Sequence, residues 1–302
     1  LFQSKKLTYV YLSLQKEYEL ASEAYKKSRE IGEIINHEEP QLYANLAINL
    51  HLANRLDEAL DEVITGLDIE RDNIHRTFLS LSEKGRESFW TMRGYQNIRL
   101  YTIAATGVDD KKGALFNIAL LSKGILMESS SHFIEMIENS TDPELHREWE
   151  NYLSLLNEMN KIQSSIGTEI DEKERLSLKL LEQESILMAK AAAFRDYVEG
   201  INYTWHDIAN VLKEDEVAIE FIRYNEWETR KAIYYASVLQ HDGPPVNIPL
   251  TELDEKEIQK WSFRKKYKTR SMYKVLIEPL SEHIKNKKKI YFSPVGCLNN
   301  IS

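Results

Sequence analysis

From Leu7 to about Gly200 apolar residues recur three and four positions apart, a spacing that predicts a succession of helices and no strand. No proline falls between Pro40 and Pro143 or between Pro143 and Pro244. Long helices need such stretches, because proline removes a backbone donor and clashes with the preceding turn. Tyr18, Ala21, Tyr25 and Ser28 share one helical face. Tyr43, Leu46, Ala47 and Leu50 mark a second helix, and Leu56, Ala59, Val63 and Gly66 a third, where small and large residues alternate as in the first. A small residue opposite a large one lets helices approach closely. Beyond Asp72, Thr77–Ile103 reads as one or two helices and Lys111–Asn139 as another. Thr141-Asp142-Pro143-Glu144 is a start signal, with a capping side chain, proline in the first turn and an acid near the positive end of the dipole. The helix it opens runs to about Gln163. After a break at Ser164–Gly167, another begins at Thr168 or Asp171 and reaches Glu199, with Leu176, Leu180, Leu187, Ala191, Phe194 and Val198 on one side. These last two should form a long antiparallel hairpin.

After Gly200 the period changes. Glu216–Tyr224 and Lys231–Gln240 are rich in β-branched and aromatic residues and read as strands. Asp242-Gly243-Pro244-Pro245 ends the second, and Val246–Leu250 adds a short third. Glu255–Lys260 and Ser271–Ile284 read as helical, and Lys289–Ser293 as a strand closed by Pro294. Strands followed by helix and strand predict the opening of an α/β sheet.

Charge divides the chain at the same place. The 99 residues from Thr204 carry 16 basic and 14 acidic side chains, +2, whereas the preceding residues carry 23 and 34, −11. A total of −9 argues against a surface built throughout for nucleic acid, and the acidic helical part favours a basic partner segment. One cysteine excludes an internal disulfide framework and a Cys-based zinc site, and points to a reducing cytoplasm. No run of about eighteen apolar residues predicts a membrane span. The start at Leu1 reads as that of a fragment or processed segment.

Phosphate-binding glycine loops, His-Glu-x-x-His and EF-hand patterns are absent, and no histidines pair at helical spacing, so no cofactor or metal is expected. Cys297 reads as a thiol in the turn after a strand, with His283 the nearest histidine in sequence. The basic stretch Arg264–Arg270, with Tyr267 and Trp261 nearby and Lys285 and Lys287–Lys289 beyond, reads as a solvated loop and helix end in preference to a nucleic-acid site. Phe89, Trp90 and Trp149 read as anchors between helices.

Tyr43, Leu46, Ala47, Leu50, Asn54, Leu56, Ala59 and Val63 fall in order at the hallmark positions of a tetratricopeptide repeat, which this segment resembles. The unit before it carries about four extra residues around His37–Pro40, and Arg71 stands where a closing proline is expected. That register places Gln41, Ala44, Ile48 and His51 on a concave, partner-binding side.

A wider resemblance rests on strings in a fixed order: Phe78–Glu83 with Phe89-Trp90, Trp205 before Leu212, Glu216–Phe221, Tyr234-Tyr235-Ala236, Ile248-Pro249-Leu250, and Tyr291–Pro294 with Gly296 and Leu298–Ile301. Together they resemble bacterial CHAT-domain proteins, caspase-like cysteine peptidases that follow tetratricopeptide repeats. Val295 and Ser302 depart from that pattern, where aspartate and proline are usual. The resemblance implies a helical superhelix over residues 1–203, ending in the long hairpin, and the first strands of an incomplete caspase-like α/β domain over 204–302. It also implies that the family's catalytic histidine and cysteine lie downstream of Tyr291–Ile301, so that no catalytic residue falls in this chain and Cys297 is not the nucleophile. The expected partner is a protein or peptide bound by the helical region. The alternative is a non-enzymatic helical scaffold with an α/β docking module.

Overall fold

The computed structural model of the chain describes residues 17–34, 39–80, 88–90, 94–128, 137, 140–164, 170–190, 202–226, 229, 231–250 and 273–300. The chain forms two compact units: Leu1–Tyr101 with Leu121–Asn202, and Thr102–Leu120 with Tyr203–Ser302. It therefore passes from one to the other three times, and Thr102–Leu120, read from sequence as part of the helical region, groups with the sheet.

The first unit opens with α1 (Tyr18–Ile34), α2 (Pro40–Leu52) and α3 (Leu56–Ser80). Pro40 suits the first turn of α2, where its missing N–H costs nothing. At the other end Asn54 adopts φ 60° and the chain reverses through Asn54 N–H to His51 O and Arg55 N–H to Leu50 O. This is the two-bond helix stop that a left-handed residue permits. Ala21, Tyr25, Leu42, Leu46, Leu50 and Ala59 make the shared core, joining the small and large positions read from the sequence. Helix α3 does not stop near Arg71. With no proline there, it runs on without a break to Ser80, and the expected helix start at Thr77 lies inside it.

Gly66 of α3 decides how α4 (Tyr95–Ala104) packs. A Cβ at this position would lie 2.4 Å from the Tyr101 hydroxyl and 2.6 Å from Tyr43 Cβ. The bare backbone lets the fully buried Tyr101 reach past α3 and donate to Pro40 O at 2.9 Å. At the surface Arg55 grips Glu58 with two bonds of 2.7 Å and reaches Glu19 at 2.9 Å, holding the Glu58 carboxyl down at about 2. Such exposed pairs fix geometry more than they stabilise.

Helices α6 (Pro143–Ser164) and α7 (Ile170–Lys190) form the antiparallel hairpin. Asp142 Oδ1 caps the first by accepting from Glu144 N–H at 2.9 Å. Leu145, Trp149, Tyr152, Leu156 and Met159 are buried on α6, as are Leu176, Leu180 and Leu187 on α7. Lys190–Glu144, Gln183–Glu148 and Tyr152–Glu184 bonds, each 2.8 Å, set the register along the seam. Ala191, Phe194 and Val198 lie outside the described residues.

The second unit is a mixed sheet covered on both faces. Strands β1 (Glu216–Asn225), β2 (Ala232–Leu239), β3 (Val246–Pro249) and β4 (Lys289–Ser293) lie in the order β3-β2-β1-β4. β1 and β2, and β2 and β3, are antiparallel, while β4 runs parallel to β1 with Ile219 opposite Phe292. One face buries Val217, Ile219, Phe221, Tyr234, Ala236 and Val238 under Leu276, Leu280, Cys297 and Leu298. The other packs Ala218 and Leu239 against Phe116 of α5 (Ala114–Glu128) and Ala209 of α8 (Trp205–Val211). The expected helix over Ser271–Ile284 is instead a π turn at Tyr273–Ile277, a 3-10 turn at Glu278–Leu280 and the short α9 (Ser281–Ile284). Pro279 cannot continue an α-helical ladder, which accounts for the break. Glu255–Lys260 lies outside the described residues.

Asp110 anchors the Thr102–Leu120 segment. Its two carboxylate oxygens accept from Ala114 N–H and Leu115 N–H, both at 2.9 Å, at the positive end of α5. Oδ2 also accepts from Asn247 Nδ2 at 3.2 Å, and Asn247 Oδ1 takes the Ser237 hydroxyl at 2.6 Å. Gly113, at φ +67°, leaves room for the Trp205 ring, whose indole N–H donates to Lys112 O at 2.8 Å.

Two substitutions test this packing. Gly66→Ala should lower the stability of the helical unit by about 1–3 kcal/mol in urea unfolding, although alanine is the better helix former by about 1 kcal/mol. A gain in stability would show that Tyr101 does not occupy the gap. Asp110→Ala should cost about 2–3 kcal/mol, the loss of a cap plus the stranding of the Asn247 amide, and β1–β3 amides should lose exchange protection. Unchanged protection there would place the anchor elsewhere.

Candidate functional site

The four positions read as a concave binding side do not form one. Ala44 is 0% exposed and Ile48 4%, while Gln41 is exposed and His51 half-buried. The one polar stripe of α2 runs through Gln41, Asn45 and Asn49, whereas Ala44 and Ile48 lie beside it among the predominantly apolar positions of a largely buried helix. Leu42, Leu46 and Leu50 face the α1 side, and Tyr43, Ala44, Ala47 and Ile48 are buried as well. What remains accessible is Gln41 with the edge of His51.

The turn after β4 holds the single cysteine. Gly296 at φ +57° opens a 3-10 turn to Asn300, and a Cβ there would lie 2.9 Å from the Tyr234 hydroxyl and 3.0 Å from Arg223 Cδ. The turn is thus seated on two side chains near the carboxyl ends of β1 and β4. Cys297 is 7% exposed, its Sγ 3.2 Å from the Tyr234 hydroxyl, and it packs in the apolar cluster with Val217, Leu276 and Leu280. A thiol so placed fills space; attack on a substrate needs access and an activating base. His283, on α9, is half-buried.

Among the described residues β4 carries three consecutive exposed apolar side chains. Ile290, Tyr291 and Phe292 are 42%, 43% and 61% exposed. Successive strand residues point to opposite faces, so β4 is apolar on both faces yet pairs on one side with β1 and with no described strand on the other. Apolar residues on both faces are the mark of an interior strand in a covered sheet. The basic residues beside it are occupied: Lys288 bonds Asp215 at 2.8 Å, Lys287 Nζ donates to Glu214 O at 2.6 Å, and Lys289 sits 4.4 Å from the Tyr291 ring centre. Pairing with Lys288 lowers the Asp215 carboxyl below its usual range. The Arg264–Arg270 stretch, with Trp261 and Tyr267, lies outside the described residues.

Among the described residues no group of three or more His, Cys, Asp or Glu side chains could hold a metal ion, and no helix is long and apolar enough to cross a membrane. Scans of protein-family profiles, curated proteins and solved structures find no match to this chain.

An unfinished sheet, as the sequence implies, should leave an exposed edge prone to association, and among the described strands β4 has that character. The signal lies in Lys289–Ser293, where Ile-Tyr-Phe breaks the alternation that a half-exposed strand would show. An open edge of this kind should pair with other chains. The 302-residue chain should elute with a concentration-dependent apparent mass in size-exclusion chromatography. Replacing Ile290 and Phe292, which share a face, by lysine should return it to a monomer. A wild-type monomer at high concentration would mean that the edge is closed.

Proposed function

We propose that this chain is an amino-terminal portion of a CHAT-type, caspase-like cysteine peptidase, with a tetratricopeptide-like helical part that binds a protein or peptide in a bacterial cytoplasm. The reading is supported by the ordered strings from Phe78 to Ile301 and by one structural observation. β1 and β4 are parallel neighbours, and β4 keeps apolar side chains on both faces at an edge that no described strand pairs. A sheet of this kind has a place for a further strand next to β4. In the family the attacking thiolate and its histidine come from later strands, so the chain as given holds the recruiting part and the start of the peptidase part without the reacting groups.

The second reading, a helical scaffold whose α/β part only docks, draws on the burial of Cys297 among core side chains. The two readings separate in the parent gene product. Under the first, the longer protein cleaves peptides, the 302-residue chain does not, and Cys297→Ser in the longer protein leaves kcat/KM within about twofold, because a core thiol takes no part in the transition state. Absence of peptidase activity in the longer protein supports the scaffold. Loss of activity on Cys297→Ser with the fold intact would refute the assignment of the nucleophile downstream.

A further inference from the structure

The interior of the first unit contains an acid with no base. Glu70 on α3 is 1% exposed, and its Oε2 accepts from Asn97 Nδ2 on α4 at 2.8 Å. Its other oxygen, Oε1, is buried with no hydrogen-bond partner. Two turns earlier on the same helix Glu62 meets burial differently, by pairing with Arg29 of α1. No cation among the described residues does the same for Glu70. Arg71 beside it turns its guanidinium to Asp68 at 2.8 Å, and the Tyr101 hydroxyl is committed to Pro40 O. Among the described residues the charged and titratable groups along this row are Glu62 and Arg71 on α3 itself, Tyr101 on α4, Tyr43 on α2 and Arg29 on α1. Helix α4 also carries Arg99, with buried guanidinium nitrogens. No charged group of α6, which also packs on α3, acts on Glu70.

An ionised carboxylate here would keep a full charge in a dry interior with one neutral amide for support, and the neutral acid is the cheaper occupant. We propose that Glu70 is a proton-dependent latch: the neutral acid lets α4 seat dry against α3. Loss of its proton puts a poorly supported charge into that contact and loosens it, although the Asn97 bond itself favours the charged form. Burial pushes the Glu70 carboxyl up from 4.5 to about 7, with the Asn97 bond opposing. Burial raises the Tyr101 hydroxyl well above its ordinary value, and charge at Glu70 adds to that. The sign follows. Between pH 4.5 and about 7 the folded unit keeps a proton that the unfolded chain has lost, so the stability this group provides is complete below 4.5 and falls as pH rises towards 7.

Amide exchange of the 302-residue chain, expressed as protection factors between pH 5 and 8, tests the latch with β1 as an internal control. Protection over Asn97–Tyr101 and Glu70–Ile74 should fall by up to about tenfold per pH unit, about a hundredfold in all, while β1 stays level. Glu70→Gln, the isostere of the neutral acid, should give a flat profile at or above the low-pH wild-type level. Asn97→Ala removes the bond that favours the charged form and should move the wild-type fall to higher pH. A flat wild-type profile, an unchanged slope in Glu70→Gln, or failure of Glu70→Gln to fold would each overturn the proposal.

Discussion

The second unit depends on a carboxylate placed where a helix begins. Asp110 satisfies two otherwise unpaired N–H groups of α5 and binds the Asn247 amide, which in turn holds the Ser237 hydroxyl. Helix start, third strand and second strand are thereby joined in one chain of hydrogen bonds. Because Asp110 is buried, any break would leave polar groups without partners in the interior, at a cost of about 1–3 kcal/mol each. The sheet's second face can then close, with Phe116 brought over Ala218 and Leu239.

Much of the local structure was legible because it is governed by neighbours in sequence. The strands follow from Val-Ala-Ile-Glu-Phe-Ile and Ile-Tyr-Tyr-Ala-Ser-Val, and the start of α6 from Asp142-Pro143. Reading failed where a long-range partner decides the outcome. Thr102–Leu120 looks like ordinary helical sequence, and only Asn247, far along the chain, shows why it belongs with the sheet. Repeat register puts Ala44 and Ile48 on a concave side, and the structure buries both. The break at Pro279 was readable and was passed over in favour of helical periodicity.

The candidate site was legible only in part. Cys297 was rightly set in a turn after a strand, since Pro294 and Gly296 punctuate that segment. Its Tyr234 partner, 63 residues away, follows from no local signal. An open edge followed from reading the sheet as unfinished, and the Ile-Tyr-Phe run of β4, apolar at successive positions, marks the strand that carries it. The broader family reading therefore rests on the order of short strings, with the parallel β1–β4 pair as its structural support.

The uninterrupted α3 has a consequence for how the helical unit could grow. A solenoid lengthens when each pair of helices ends where the next can take up the same phase. From Arg71 to Ser80 the overrun spans about 14 Å at 1.5 Å per residue, so the turn that would start a following pair is displaced by about ten residues from the place a 34-residue repeat gives it. A further pair in the phase of α2 and α3 would need its own turn inserted near Arg71.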